Sequence, residues 1–288
     1  MIEAALATRP ATLVTAPPFF ITGSGRCGTT LVRRLILERT DTVIPPENYV
    51  LSITRTCFGT AGGDWSLASS HILSLLTRDQ RHWATYRLDA AAVRRAFAEA
   101  RPEERRPEMV WHLFAREYAA AVGRSTYVRW GDKTPLNADH LPAIGQLYPD
   151  AQFIFLVRDP LDVALSYGRM DGREGRFLEG MERWMRTNSA ILDFVRSAPG
   201  RCALFRYEDL VADPAGVVGE AVRFLGLPLG APAPAADMLA DVDAFRHLNN
   251  VLNPVTTDSV GKGRSELASD VRSAILETTA PLRAVFGY

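Results

Sequence analysis

Lysine is nearly missing from this 288-residue chain: of 33 basic side chains, 31 are arginine, and only Lys133 and Lys262 are lysine. Cysteine is scarce too. Cys27, Cys57 and Cys202 are too few and too scattered for a disulfide framework or a zinc site, which points to a reducing cytoplasm. No apolar run reaches the ~18–20 residues that span a bilayer. Met1 to Pro18 lacks the basic stretch and apolar core of a secretory signal. No charge of either sign is in excess: 33 acidic residues balance the 33 basic ones. That balance argues against a basic nucleic-acid binder and a polybasic membrane-surface protein, and leaves room for a local basic pocket. What is there is globular: 47% of residues are apolar and 23% charged, in a length that suits a single α/β domain.

Four apolar runs are followed by helical spacing. Phe19 to Thr22 reads as a buried strand ended by Gly23, and Thr29 to Arg39 as a helix. Thr126 to Trp130 reads as a shorter strand before Gly131 and a helix at Leu141 to Leu147. Phe153 to Val157 is a continuous apolar run, as in a central parallel strand, and Pro160 opens the next helix. Cys202 to Tyr207 is followed by Pro214 and a helix to Leu225. Alternation of this kind predicts an α/β fold with a mostly parallel central sheet flanked by helices. Residues 64–122 differ, being helical and, around 94–108, rich in Arg and Glu, and are read as a helical insertion within a single domain spanning 18–288. Residues 1–17 are expected to form a loose arm, 228–236 a linker, and 266–285 a last helix interrupted near Pro281.

The strongest motif is Gly23-Ser24-Gly25-Arg26-Cys27-Gly28-Thr29-Thr30, a phosphate-loop spacing between strand and helix, with Thr29 in the place of the usual Lys. Backbone N–H groups at a helix start cradle anions, and Arg26 adds a fixed cation. The missing Lys weakens an ATP reading. Arg158 ends the predicted central strand, where open α/β sheets bind ligands, and Ser166 follows two turns into the next helix. The pair suits a second phosphate; the alternative is Arg158 paired with Asp159 or Asp162.

These stretches carry a resemblance. The early Gly-x-x-Arg-Cys-Gly-Thr-Thr and the later Arg-Asp-Pro-x₅-Ser resemble the sulfotransferase superfamily that uses 3′-phosphoadenosine 5′-phosphosulfate (PAPS), in a bacterial branch similar to tyrosylprotein sulfotransferases. Pro45-Pro46-Glu47, Gly131 to Pro135, Arg206 to Leu210 and Ser259 to Arg264 agree in order. The resemblance implies a P-loop-like core in which residues 23–30 hold the 5′-phosphosulfate while Arg158 and Ser166 hold the 3′-phosphate. Ser259, Lys262, Gly263 and Arg264 resemble the loop over that phosphate. Glu47 is then the candidate general base, with a pKa raised by burial, its alternative being a carboxylate at a helix start. Arg26 and Lys133 are assigned to the charge of the transferring group, with no metal. Asp132 either orients Lys133 or caps the turn after it. Glu208 is expected to be structural. Cys27 either has a lowered pKa or simply fills a tight turn. The expected reaction is sulfuryl transfer from PAPS to a hydroxyl on a small molecule, glycan, lipid or tyrosine, leaving 3′-phosphoadenosine 5′-phosphate (PAP). The rivals are a metal-dependent nucleotide kinase and a non-catalytic nucleotide-binding protein. If Glu47 is not the base, His71, His82 and His112 are next.

Overall fold

The computed structural model describes residues 13–170, 175–230, 235, 238–239, 241–242 and 251–288. Most of the 1–17 arm and of the 228–236 linker lies outside the described residues. Where the arm is described it is held down: Val14 O lies 2.8 Å from His112 Nδ1, and Pro17 O accepts from Arg129 Nε.

Five strands form one parallel sheet in the order β2-β3-β1-β4-β5, with β1 Phe19–Gly23, β2 Thr42–Val43, β3 Arg129–Lys133, β4 Gln152–Val157 and β5 Cys202–Arg206. From β1 the chain builds outward to β2 and β3, then crosses to β4 and β5. The change of direction falls between β1 and β4, whose carboxyl ends open the crevice where such sheets bind ligands. Phe153 to Val157 are fully buried, as the unbroken apolar run requires of a strand covered on both faces.

Helices α1 Thr29–Leu37, α2 Thr54–Thr60, α3 Trp65–Arg78, α4 Gln80–Thr85, α5 Ala90–Ala98 and α6 Met109–Ala121 follow β1. Later come α7 Leu141–Leu147, α8 Pro160–Tyr167, α9 Phe177–Ser197, α10 Tyr207–Ala212, α11 Pro214–Phe224, α12 Lys262–Glu266 and α13 Ser269–Val285. Aspartates start several of them: Asp64, Asp79, Asp89, Asp159 and Asp213 each accept a backbone N–H of the first turn. In α8 and α11 a proline follows, where its missing N–H costs nothing. Trp65 of α3, Tyr86 just after α4, Phe97 of α5 and Trp111 of α6 are buried in the same apolar cluster as the sheet.

Two expectations fail. The third strand in sequence lies three residues later than its apolar run suggests. Gly131 sits inside it because a Cβ there would meet the Phe19 ring at 2.4 Å. The last helix runs unbroken through Pro281. The carbonyl that Pro281 leaves without its helical donor belongs to Glu277, an exposed residue on the solvent side of the helix.

Candidate active site

The loop after β1 turns back on itself through positive φ at Gly25 (75°), Arg26 (55°) and Gly28 (97°). Only Gly28 fits its place: a Cβ would meet the Tyr207 ring at 2.5 Å. Thr29 and Thr30 are buried at the start of α1, directly behind the loop. Ser24 O accepts from Arg183 Nε of α9 at 2.9 Å. Cys27 is fully buried and burial pushes its thiol up, so the lowered-pKa reading is overturned and the small, tight-turn reading holds. Arg26 donates from Nε to Ser166 Oγ at 3.1 Å. Burial and the neighbouring Arg158 lower its pKa, so its charge is costly to hold and well placed to meet an anion.

Arg158, at the end of β4, is buried and laid 4.2 Å over the Tyr207 ring. It donates to Arg26 O at 3.1 Å and Ser259 O at 2.6 Å, with Asp162 3.7 Å away. Its Nε is buried with no hydrogen-bond partner among the described residues. Tyr207 and Ser259 share a 2.7 Å hydrogen bond, so the late segment closes against the phosphate loop through Arg158. Asp162 fastens that segment by accepting from Gly261 N at 2.9 Å and Gly263 N at 2.7 Å. A Cβ on Gly263 would strike the Leu161 backbone at 2.3 Å. Lys262 reaches the cleft, while Arg264 turns to Asp159 Oδ2 at 3.1 Å. Glu208 is structural as expected, accepting from Asp159 N and the Tyr288 hydroxyl.

Glu47 and Lys133, 86 positions apart, meet at 2.5 Å between Oε1 and Nζ. Lys133 is wholly buried and Glu47 is 22% exposed at its side chain, so the carboxylate faces the cleft and the ammonium stands behind it. Burial raises the Glu47 pKa, but the Lys133 charge and bond, with a Tyr49 bond, outweigh it and hold the carboxyl below the usual range. The expected raised pKa is thus corrected: the Glu47 carboxylate is kept ionised. Lys133, expected to meet the transferring group, instead holds Glu47. Asp132 caps the turn, accepting from Thr134 and Asn137, and burial pushes it up to about 7. Thr134 Oγ accepts in turn from Asn48 N at 2.7 Å, tying the Glu47 segment to the end of β3. Of the three histidines, only His82 comes near: with Nε2 protonated it donates to Glu47 O at 2.7 Å, beside the Tyr86 hydroxyl at 2.6 Å.

A cleft of about 1080 Å³ joins these parts, lined by Gly25, Arg26, Gly28, Thr29, Thr30, Glu47, Arg158, Ser166, Ser259 and Lys262. Sequence reasoning missed Tyr49, Arg183 and Tyr207, which also line it. Tyr207 lay inside a quoted motif. Tyr49, two positions beyond Glu47, and Arg183, on a helix with no local signature, carried no signal of their own. Among the described residues, no group of three or more His, Cys, Asp or Glu is arranged to hold a metal, and no helix is long and apolar enough to cross a membrane.

In sequence, the chain is 29% identical over 147 residues to nodulation protein NoeE of Sinorhizobium fredii (strain NBRC 101917 / NGR234), covering 51% of this chain and 30% of that protein. The chain spans well under half the length of the curated relatives it matches. In structure it is similar to the sulfotransferase domain from the curacin biosynthetic pathway, with a TM-score of 0.59 at 22% identity over 92% of this chain and 98% of that one. The sulfotransferase domain of the Synechococcus PCC 7002 olefin synthase gives 0.53 at 22% identity, over 94% and 97%. At these identities the likeness is one of fold. Residues 17–231 match the model of the Sulfotransferase family, and the chain belongs to that family.

Proposed function

We propose that the chain transfers a sulfuryl group from PAPS to a hydroxyl acceptor, with Glu47 as general base. The observation that carries this is the placing of an ionised carboxylate, backed by a buried lysine, in one cleft with a phosphate-type loop.

The residues fit the donor. The 23–30 loop and the start of α1 supply backbone donors and Arg26 for the 5′-phosphosulfate. Arg158, with its spare buried Nε, and Ser166, now on Arg26, line the same cleft and suit the 3′-phosphate; Ser259 and Lys262 close over it. When bound, PAPS supplies an activated sulfuryl group. The acceptor oxygen forms its bond to sulfur as the bridging S–O bond to the 5′-phosphate breaks. Glu47 takes the acceptor's proton, and PAP leaves with the bridging oxygen. A carboxylate with a low pKa serves here because the hydroxyl becomes acidic as its oxygen bonds to sulfur. Lys133 keeps Glu47 ionised and aimed. Arg26 faces the charge that builds on the leaving oxygen.

The test is binding and transfer with nucleotides. PAP is expected to bind at least tenfold better than adenosine 5′-phosphate, since a charge-assisted contact is worth about 1.5–3 kcal/mol, and Arg158→Ala should erase that preference. Labelled sulfate should pass from PAPS to an acceptor in the presence of EDTA. Equal binding of the two nucleotides overturns the 3′-phosphate assignment. ATP turnover abolished by EDTA and restored by Mg²⁺ favours the kinase.

A further inference from the structure

A second cavity, of about 730 Å³, adjoins the cleft on its α3–α4 side. Val50, Leu75 and Leu76 give it apolar walls, His82 and Tyr86 stand at its inner end, and exposed Arg78, Asp79, Gln80 and Arg81 form its rim. Tyr49 lines both this cavity and the main cleft. Its ring lies 5.1 Å from that of His82, and its hydroxyl donates to Glu47 Oε2 at 2.5 Å. Oε2 is the oxygen that Lys133 leaves free, since Lys133 takes Oε1. A phenol hydroxyl thus already sits where an acceptor's proton would be removed, on a ring that is 48% exposed and half out of the protein.

We propose that the cavity between Val50 and Tyr86 takes the apolar body of the acceptor, whose hydroxyl replaces that of Tyr49 on Glu47. The acceptor class is then an alcohol or phenol borne on an elongated apolar body. This rests on the reading of Glu47 as the base. The volume lies within the range of small-molecule sites; Val50, Leu75 and Leu76 offer dispersion and burial, and the exposed polar side chains of residues 78–81 stand at the rim. Selectivity comes from the length of the body, because each buried methylene contributes about fourfold in affinity. Orientation comes from the single hydrogen bond to Oε2, with His82 and Tyr86 holding the Glu47 carbonyl so that the carboxylate does not follow the exchange.

The probes are 4-octylphenol and 4-methylphenol, titrated calorimetrically into the protein with and without PAP. The octyl compound is expected to bind at least about 100-fold more tightly. Leu75→Trp, at a partly buried wall position, should remove most of that difference while PAP affinity and a cooperative melt are retained. Tyr49→Phe should tighten the octyl compound severalfold, because the competing hydroxyl is gone. The proposal is overturned if the two phenols bind within about threefold of each other in the unmutated protein. It is equally overturned if a folded Leu75→Trp protein binds the octyl probe as before, or if Tyr49→Phe leaves its affinity unchanged. The donor reading fails separately, through loss of the PAP signal, and the phenol titrations without PAP do not depend on it.

Discussion

Lys133→Met deletes the ammonium behind Glu47 while keeping the length and apolar stem of the side chain. Removing one partner of a buried ion pair costs about 3–5 kcal/mol. Glu47 keeps 22% exposure and its Tyr49 bond, so the loss is expected at the low end, about 3 kcal/mol at pH 7. Its pH dependence has a definite sign. In the unmutated protein the Glu47 pKa lies below the ordinary 4.5. A lowered folded pKa adds stability that is present above the unfolded value and lost as pH falls through the folded one. Without Lys133, burial is the leading influence and the folded pKa rises above the unfolded one. The carboxyl then removes stability as pH rises past its unfolded value. The gap between the two proteins therefore widens from about pH 3 to pH 7. Urea unfolding followed by tryptophan fluorescence at several pH values measures it. In the double variant Glu47→Gln with Lys133→Met, the uncompensated charge is gone and at least half of the loss should return. A gap that does not vary with pH, or one below about 1 kcal/mol at neutral pH, refutes the reasoning, since that is the worth of an exposed pair.

Glu47→Gln should lower turnover by roughly 10²–10⁴ with PAP affinity nearly unchanged, and by less for an acidic phenol than for an aliphatic alcohol, as steady-state kinetics on both acceptors will read. Gly28→Ala puts a Cβ into the Tyr207 ring at a φ of 97°, which displaces the ring that carries Arg158. PAP affinity should fall more than tenfold with a stability loss of about 1–3 kcal/mol, by calorimetry and melting. Burial pushes the Cys202 thiol up to about 11, so this partly exposed residue should be alkylated by iodoacetamide in the native protein slowly at about pH 7 and faster as pH rises towards about 10, while buried Cys27 reacts only in denaturant, as peptide mass mapping will show.

Much of the site was legible because its signals are local. The apolar runs of β1 and β4, the glycines between β1 and α1, and Asp-Pro before α8 and α11 each act within a few residues. They set the parallel sheet, the glycine-rich loop and the place of Arg158 at a strand end. The two lysines of this arginine-rich chain both lie in motifs that carried the resemblance; Lys133 meets Glu47 and Lys262 lines the cleft. What lay beyond the sequence depended on groups meeting across the chain. The pKa of Glu47 could not be foretold because burial alone raises it, and the ammonium that reverses the sign comes from a strand 86 residues away. Asp132 had two open roles until Thr134 and Asn137 folded back on it. The start of β3 was set by pairing with β1 and by the Phe19 ring over Gly131, not by the apolar run before it. Tyr49 gained its place only when the helices after β2 brought His82 against its ring and left the free Glu47 oxygen beside its hydroxyl. Local chemistry wrote most of the strands, turns and caps; the charge states and the partner of the second Glu47 oxygen were decided by packing, because they are sums over neighbours distant in sequence.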